Sequence, residues 1–251
     1  MIEISNLIDH IWTFNLLLAA FVAIPSGLIQ GYAGFGGALV AIPFFAVLFG
    51  PITGFAIVLF IVAFGQGTLF FSASKKADWK EVGPVSAASA ITISCGILFL
   101  VSADPIVLRK GMAVFILLIT AFMMSGWNYS GKHNLFSGVI TGAVSGVITG
   151  SFGVPGFPLQ VMYFHTSNSS LDIKRANVLT AMACGAIVAI CGLIIQGAYT
   201  KILFSQAFII APIFIIGAKL GEYFYKVAPA EWFKKITYGI LILTALTLLI
   251  F

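Results

Sequence analysis

The sequence predicts an all-α polytopic membrane protein made of two inverted repeats, each a glycine-broken helical hairpin followed by three spanning helices. Three observations predict it. Of 251 residues, 60% are apolar and only 8% are charged, against roughly 25% charged in a soluble domain. The glycine-rich stretch Ser26–Gly37 recurs without a gap as Ser145–Gly156, at an offset of 119 residues, with six of twelve positions identical. Loop cations also divide unevenly between the two faces that an inverted arrangement would create.

Composition excludes several classes. The longest polar connection is about a dozen residues, which leaves no room for a soluble domain. The N-terminus lacks a basic n-region, and no A-x-A site follows the first apolar run, so no cleaved signal peptide is expected. Cys95, Cys184 and Cys191 all lie in apolar runs, odd in number and without metal-type spacing, so packing is expected and not disulfides or a metal site. The net charge of +5 reads as membrane topology and attraction for anions, not as nucleic-acid binding.

The first repeat, residues 1–131, starts with a short lead that has no Lys or Arg. Short apolar pieces at 14–31 and 35–50 flank the first glycine cluster, and Gly50-Pro51 closes the second piece. Each is near or below the ~20 residues that span a bilayer. Spans at about 52–73, 83–102 and 109–128 follow. The second repeat, 132–251, has short pieces at 135–150 and 154–165 around its own cluster, then spans at about 176–197, 203–224 and 232–251.

Charge counting separates two topologies. If each short pair enters and leaves on one face, the halves are inverted and loop cations divide 10 to 3. If each pair makes one crossing, the halves are parallel and the split is 8 to 5. The steeper asymmetry fits the positive-inside rule. It predicts inverted halves, the cation-rich face in the cytoplasm and both termini outside it.

At least four glycines in eleven residues cannot sustain an uninterrupted helix, because each costs about 1 kcal/mol relative to Ala. Each cluster therefore reads as a half-helix, an unwound turn and a restarting half-helix. Unwound backbone is tolerated at membrane depth only inside protein or along a wet cavity. The restarting helix offers free N–H groups and a positive dipole end, which suit an anion. Matching breaks in two halves point to a secondary transporter's substrate site. The competing reading is tight helix packing through small-xxx-small patterns, favoured for Gly217 and Gly221. No Gly-Lys-Ser/Thr accompanies the glycines, which excludes a nucleotide loop.

Gly34-Phe35-Gly36-Gly37 with Pro43, the looser Gly153-Val154-Pro155-Gly156 with Pro158, Asp78-Trp79-Lys80 before the fourth segment and the late Gly217–Gly221 pair together resemble the sulfite exporter TauE/SafE family of membrane transporters. The resemblance covers nearly the whole chain. It implies movement of sulfite, organosulfonates or related small anions across a bacterial inner membrane. Two departures stand out: Pro155 occupies a Gly position of the motif, and the first half lacks the late glycine pair. The second-half site is thus expected to suit a different anion.

The candidate substrate-binding residues are Gly34, Gly36, Gly37, Gly153, Pro155 and Gly156 at the breaks, with Arg175, Asn177, Gln66 and Gln160. Arg175 offers a planar fork for sulfonate oxygens, against the alternative of an interfacial, snorkelling Arg. Asn177, Gln66 and Gln160 are amides within apolar runs that need partners. Gln30 and its repeat equivalent Thr149 lie inside the breaks and are weighed similarly. No carboxylate lies mid-span, so the usual proton- or sodium-coupling group is missing.

The expected function is secondary transport of a small anion by alternating access, with the site near the midplane between the breaks. An anion channel using the same half-helix ends is the alternative. An enzyme is disfavoured because no His, Asp, Glu or Cys cluster recurs at catalytic or ligand spacing. No cofactor, metal or nucleic acid is expected. The expected partners are the anion and membrane lipid, with a homodimer as the candidate assembly.

Overall fold

The computed structural model describes residues 14–34, 36–126, 131, 133–225, 227 and 230–250; at 33, 66–69 and 230–234 the description extends to the backbone alone. Among the described residues every regular element is a helix: α1 (Phe14–Ala33), α2 (Gly37–Phe49), α3 (Pro51–Lys76), α4 (Trp79–Ser102), α5 (Pro105–Met124), α6 (Leu135–Phe152), α7 (Phe157–His165), α8 (Leu171–Ile195), α9 (Lys201–Tyr225) and α10 (Ala230–Ile250).

Six of these, α1, α4, α5, α6, α8 and α9, are long and apolar enough to cross a membrane. Helix α3 bends by 70° between Gly65 and Phe70, and counted as one broken span it makes a seventh. Large apolar side chains such as Phe21, Ile91 and Phe208 point outward on these helices. In water such a surface would aggregate; in lipid it is solvated. The chain is a multi-pass membrane protein.

Helices α4, α5 and α8 begin four or five residues before the expected apolar spans. The first turns of α4 and α8 carry charged residues, Lys80 and Glu81 in one and Asp172 and Lys174 in the other, where hydropathy gives no signal; that of α5 follows Asp104-Pro105. The caps give the reason. The Asp78 carboxylate accepts from the Lys80 N–H at 3.0 Å, and that of Asp104 from the Ile106 N–H at 2.7 Å, with Pro105 in the first turn. Both satisfy donors that a helix start leaves over. Trp79 Nε1 donates to the Ser74 carbonyl at 3.0 Å, closing the α3–α4 connection. Across the molecule, Tyr199 between α8 and α9 donates to the Ala56 carbonyl of α3 at 3.0 Å. Burial pushes the Tyr199 hydroxyl well above the usual tyrosine range, so it stays a neutral donor.

The most extensive pairings cross between the halves: α4 lies along α6, and α9 along α1. Glycines let these backbones touch. Cβ atoms at Gly142, Gly146 and Gly150 would collide with the α4 backbone, and at Gly27 and Gly31 with that of α9. Gly217 and Gly221 face α1 in the same way, the packing role expected of them. Helix α3 meets α8, α5 meets α10, α4 also meets α8, and α9 also meets α3. Exchanging α1–α5 for α6–α10 maps this set of pairings onto itself. One expectation fails: Cys95 and Cys191 are exposed on α4 and α8, so they fill no core.

Candidate functional site

Each copy of the repeated stretch builds the same chain reversal. Helix α1 ends on Gly34 (φ +79°) and α6 on Gly153 (φ +64°), both left-handed. Their N–H groups bond back to the Gln30 carbonyl at 2.9 Å and the Thr149 carbonyl at 3.0 Å, the single-bond left-handed helix cap. The chain then folds back so that a Cβ on Gly37 would strike the Ser26 carbonyl, and one on Gly156 the Ser145 carbonyl. The restarting N–H groups are met by side chains: Gly37 donates to Gln30 Oε1 at 3.1 Å, and Gly156 to Thr149 Oγ1 at 2.9 Å. Every one of these equivalences keeps the 119-residue offset.

The restarted helices are short. At 13 and 9 residues, α2 and α7 are roughly 20 Å and 13 Å long, less than the ~30 Å hydrocarbon thickness, so neither crosses alone. Their starts border one cavity of about 320 Å³, walled by α2, α3, α4, α6, α7 and α8, with Gln30 contributed from α1. Its polar wall consists of Gln30, Ser89, Ser145, Thr149 and Gln160; none of the described lining residues is Asp, Glu, His, Lys or Arg. Gln160 Nε2 donates to Ser145 Oγ at 2.8 Å. Its Oε1 is buried and has no hydrogen-bond partner. The site can offer neutral donors, two helix starts and one spare acceptor, in walls that are otherwise apolar.

The ten expected residues distribute unevenly around it. Pro155, Gly156 and Gln160 line the cavity. Gly36 and Gly37 are buried at the first reversal and Gly153 at the second, behind the lining. Gly34 is exposed, and nothing lies within 4 Å of where a Cβ would stand. Arg175 is exposed on the first turn of α8 and does not line the cavity. Asn177 is fully buried, but both ends of its amide are occupied elsewhere: Oδ1 accepts from the Asp78 N–H at 2.8 Å, and Nδ2 donates to Glu81 Oε2 at 3.0 Å. It ties α8 to the α3–α4 connection. The side chain of Gln66 lies outside the described residues.

Sequence reasoning passed over Ser145 and Ser89. A signal existed for Ser145, since it heads the repeated stretch and is identical in both copies. Nothing in the sequence marks Ser89, which reaches the cavity because α4 lies along α6. Gln30 and Thr149 stood as one pair among several and prove to be the residues that close the reversals.

An all-helical membrane protein with a central cavity bordered by two short, restarted helices belongs to the architectural class of polytopic transporters. The family model described as "Sulfite exporter TauE/SafE" matches residues 16–248. The chain belongs to that family, and is a membrane transporter of the sulfite-exporter type and not an enzyme. Searches of curated proteins and of solved structures returned no match.

Proposed function

We propose that this protein is a secondary transporter that carries sulfite or an organosulfonate by alternating access across a bacterial inner membrane. The anion sits in the cavity between the two reversals. It faces the positive ends of α2 and α7, whose first N–H groups are capped by Gln30 and Thr149, beside the polar side chains of Ser89, Ser145 and Gln160. The observation that supports this reading is the repeat-equivalent pair of hydrogen bonds, Gly37 to Gln30 and Gly156 to Thr149, at the edge of one cavity. Helix starts of this kind favour negative charge without a full counter-charge. The two halves are inverted about a pseudo-twofold axis in the membrane plane, with both termini outside the cytoplasm. The reciprocal pairing of α4 with α6 and of α9 with α1 supports that relation, as does the 10 to 3 division of loop cations.

Purified protein in liposomes tests the transport reading. Labelled sulfite is expected to exchange against internal unlabelled sulfite with saturable kinetics. Flux that rises without saturation and shows no exchange would mean a channel instead. Single cysteines at Ser5 and Lys76 test the topology and are expected to label from opposite faces; labelling from one face rejects the inverted halves.

A further inference from the structure

We infer that Gln160 reads a hydrogen-bond donor on the transported anion, so that the cavity takes a singly charged, protonated species, hydrogen sulfite, in preference to the sulfite dianion. The inference rests on the proposed site and specifies which form of the substrate it accepts.

Three features lead there. Gln160 is 3% exposed and lines the cavity in the first full turn of α7. With Nε2 committed to Ser145 Oγ at 2.8 Å, Oε1 is a buried acceptor without a partner. A buried acceptor left unmade carries a desolvation penalty that a ligand donor removes. A ligand here therefore needs negative charge that faces the positive end of α7 and one O–H or N–H that donates to Gln160. Hydrogen sulfite has both; sulfite has acceptors only.

The lining points the same way. The cavity wall carries no cationic side chain among its described residues. Solvation cost grows with the square of the charge, so transferring a dianion into such a wall costs about four times as much as a monoanion. Neutral dipoles at two helix ends match one negative charge better than two. A carrier that takes hydrogen sulfite moves a proton with each sulfur and needs no titrating side chain in the cavity to do so.

The protein's own titratable groups lie off the cavity wall. Helix α6 has none; α7 carries Tyr163 and His165, with the His133 ring tilted against Tyr163 at 4.6 Å between ring centroids; α8 carries Asp172, Lys174, Arg175, Cys184 and Cys191. None of these lines the cavity.

Calorimetric titration of purified full-length protein with sulfite and with methanesulfonate, on both sides of the second ionisation of sulfurous acid, provides the test. Methanesulfonate is a monoanion at both pH values and has no donor. Sulfite is expected to bind about tenfold or more tightly on the acid side, the worth of one hydrogen bond involving a charged partner. Methanesulfonate is expected to bind weakly and equally at both. Gln160→Met should erase the advantage of hydrogen sulfite. Gln160→Ala should do the same, and it reproduces the Ala41 found at the equivalent place in the first half, where the reversal forms with no amide at that position. Sulfite affinity that is flat or rises with pH overturns the inference, as does methanesulfonate matching hydrogen sulfite. So does an advantage that survives in both folded variants. In those cases anion binding still stands. Binding of neither anion would remove the proposed site itself.

Discussion

The two chain reversals share a frame and differ in what fills it. Both end a helix on a left-handed glycine, fold back against a serine carbonyl and cap the next helix from the same position, Gln30 or Thr149. The first reversal is the more open. Gly34 is exposed, and Gly36 (φ +99°) is a second left-handed residue. Ser26 is buried with an unpartnered hydroxyl, because Ala41 stands opposite it in the repeat. In the second reversal Gly153 is buried against Phe55, Pro155 replaces the second left-handed glycine, and Gln160 serves Ser145. The left-handed Gly34 and Gly153, the close-approach Gly37 and Gly156 and the serines they meet recur in both copies. Pro155 and Gln160, which line the cavity, have Gly36 and Ala41 as their counterparts. The two reversals thus share their backbone frame and differ in part of what they present to the cavity.

Gly37→Leu and Gly156→Leu are expected to abolish transport, and to lower thermal stability in detergent by similar amounts. The side chain would collide with the Ser26 or Ser145 carbonyl, and the opposing backbone cannot step aside. Overpacking costs typically 1–3 kcal/mol and more against backbone. A large loss at one site with tolerance at the other would show that the reversals are not mechanically equivalent. Next in size, Gly36→Pro should cost about 3 kcal/mol or more, since the ring holds φ near −65° where the chain needs a positive value. Pro155→Gly should cost only about 0.5–1 kcal/mol, mainly through freedom in the unfolded chain. Melting curves of the purified variants decide, and equal effects would contradict the different loop conformations.

A smaller effect is expected from Gln30→Leu and Thr149→Val. Each removes the acceptor of a restarting N–H and should destabilise by roughly 0.5–2 kcal/mol, as helix-cap losses do. The two losses should be similar, because each side chain also donates a second bond: Gln30 Nε2 to the Gly34 carbonyl at 3.2 Å and Thr149 Oγ1 to the Ser145 carbonyl at 2.9 Å. The smallest effect belongs to Arg175. With the side chain exposed and off the cavity, Arg175→Gln should change sulfite affinity less than about twofold, within what a screened surface charge contributes. A tenfold loss in a binding titration would bring Arg175 back into the site.

How legible was this in the sequence? The helical, membrane-spanning class followed from composition, because apolar content is a property of the chain alone, and each glycine cluster lies where one helix ends and the next begins. Arg175 attracted attention for its chemistry, yet whether a residue reaches a cavity depends on which face its helix turns inward, and an apolar helix bathed in lipid encodes that face weakly. Asn177 shows the same gap: its partners Asp78 and Glu81 lie almost a hundred residues away, so nothing local shows that the amide is already occupied. Gln160 was visible as an amide near a break. That one of its atoms lacks a partner became apparent only with Ser145 in place.

The reciprocal clasp of α4 by α6 and of α1 by α9 bears on how the molecule is made and how it moves. During synthesis α1 is made long before α9, and its glycine face lacks that partner until Lys201–Tyr225 has been translated. Through most of translation that face must be covered by lipid or by the insertion machinery. In the finished protein neither half is a mechanical unit. The seams sealed by glycine-backbone contact run between halves. Under the proposed alternating access, the mixed pairs α1 with α9 and α4 with α6 are therefore the expected rigid pieces, and motion is expected where α3 and α8 meet beside the cavity.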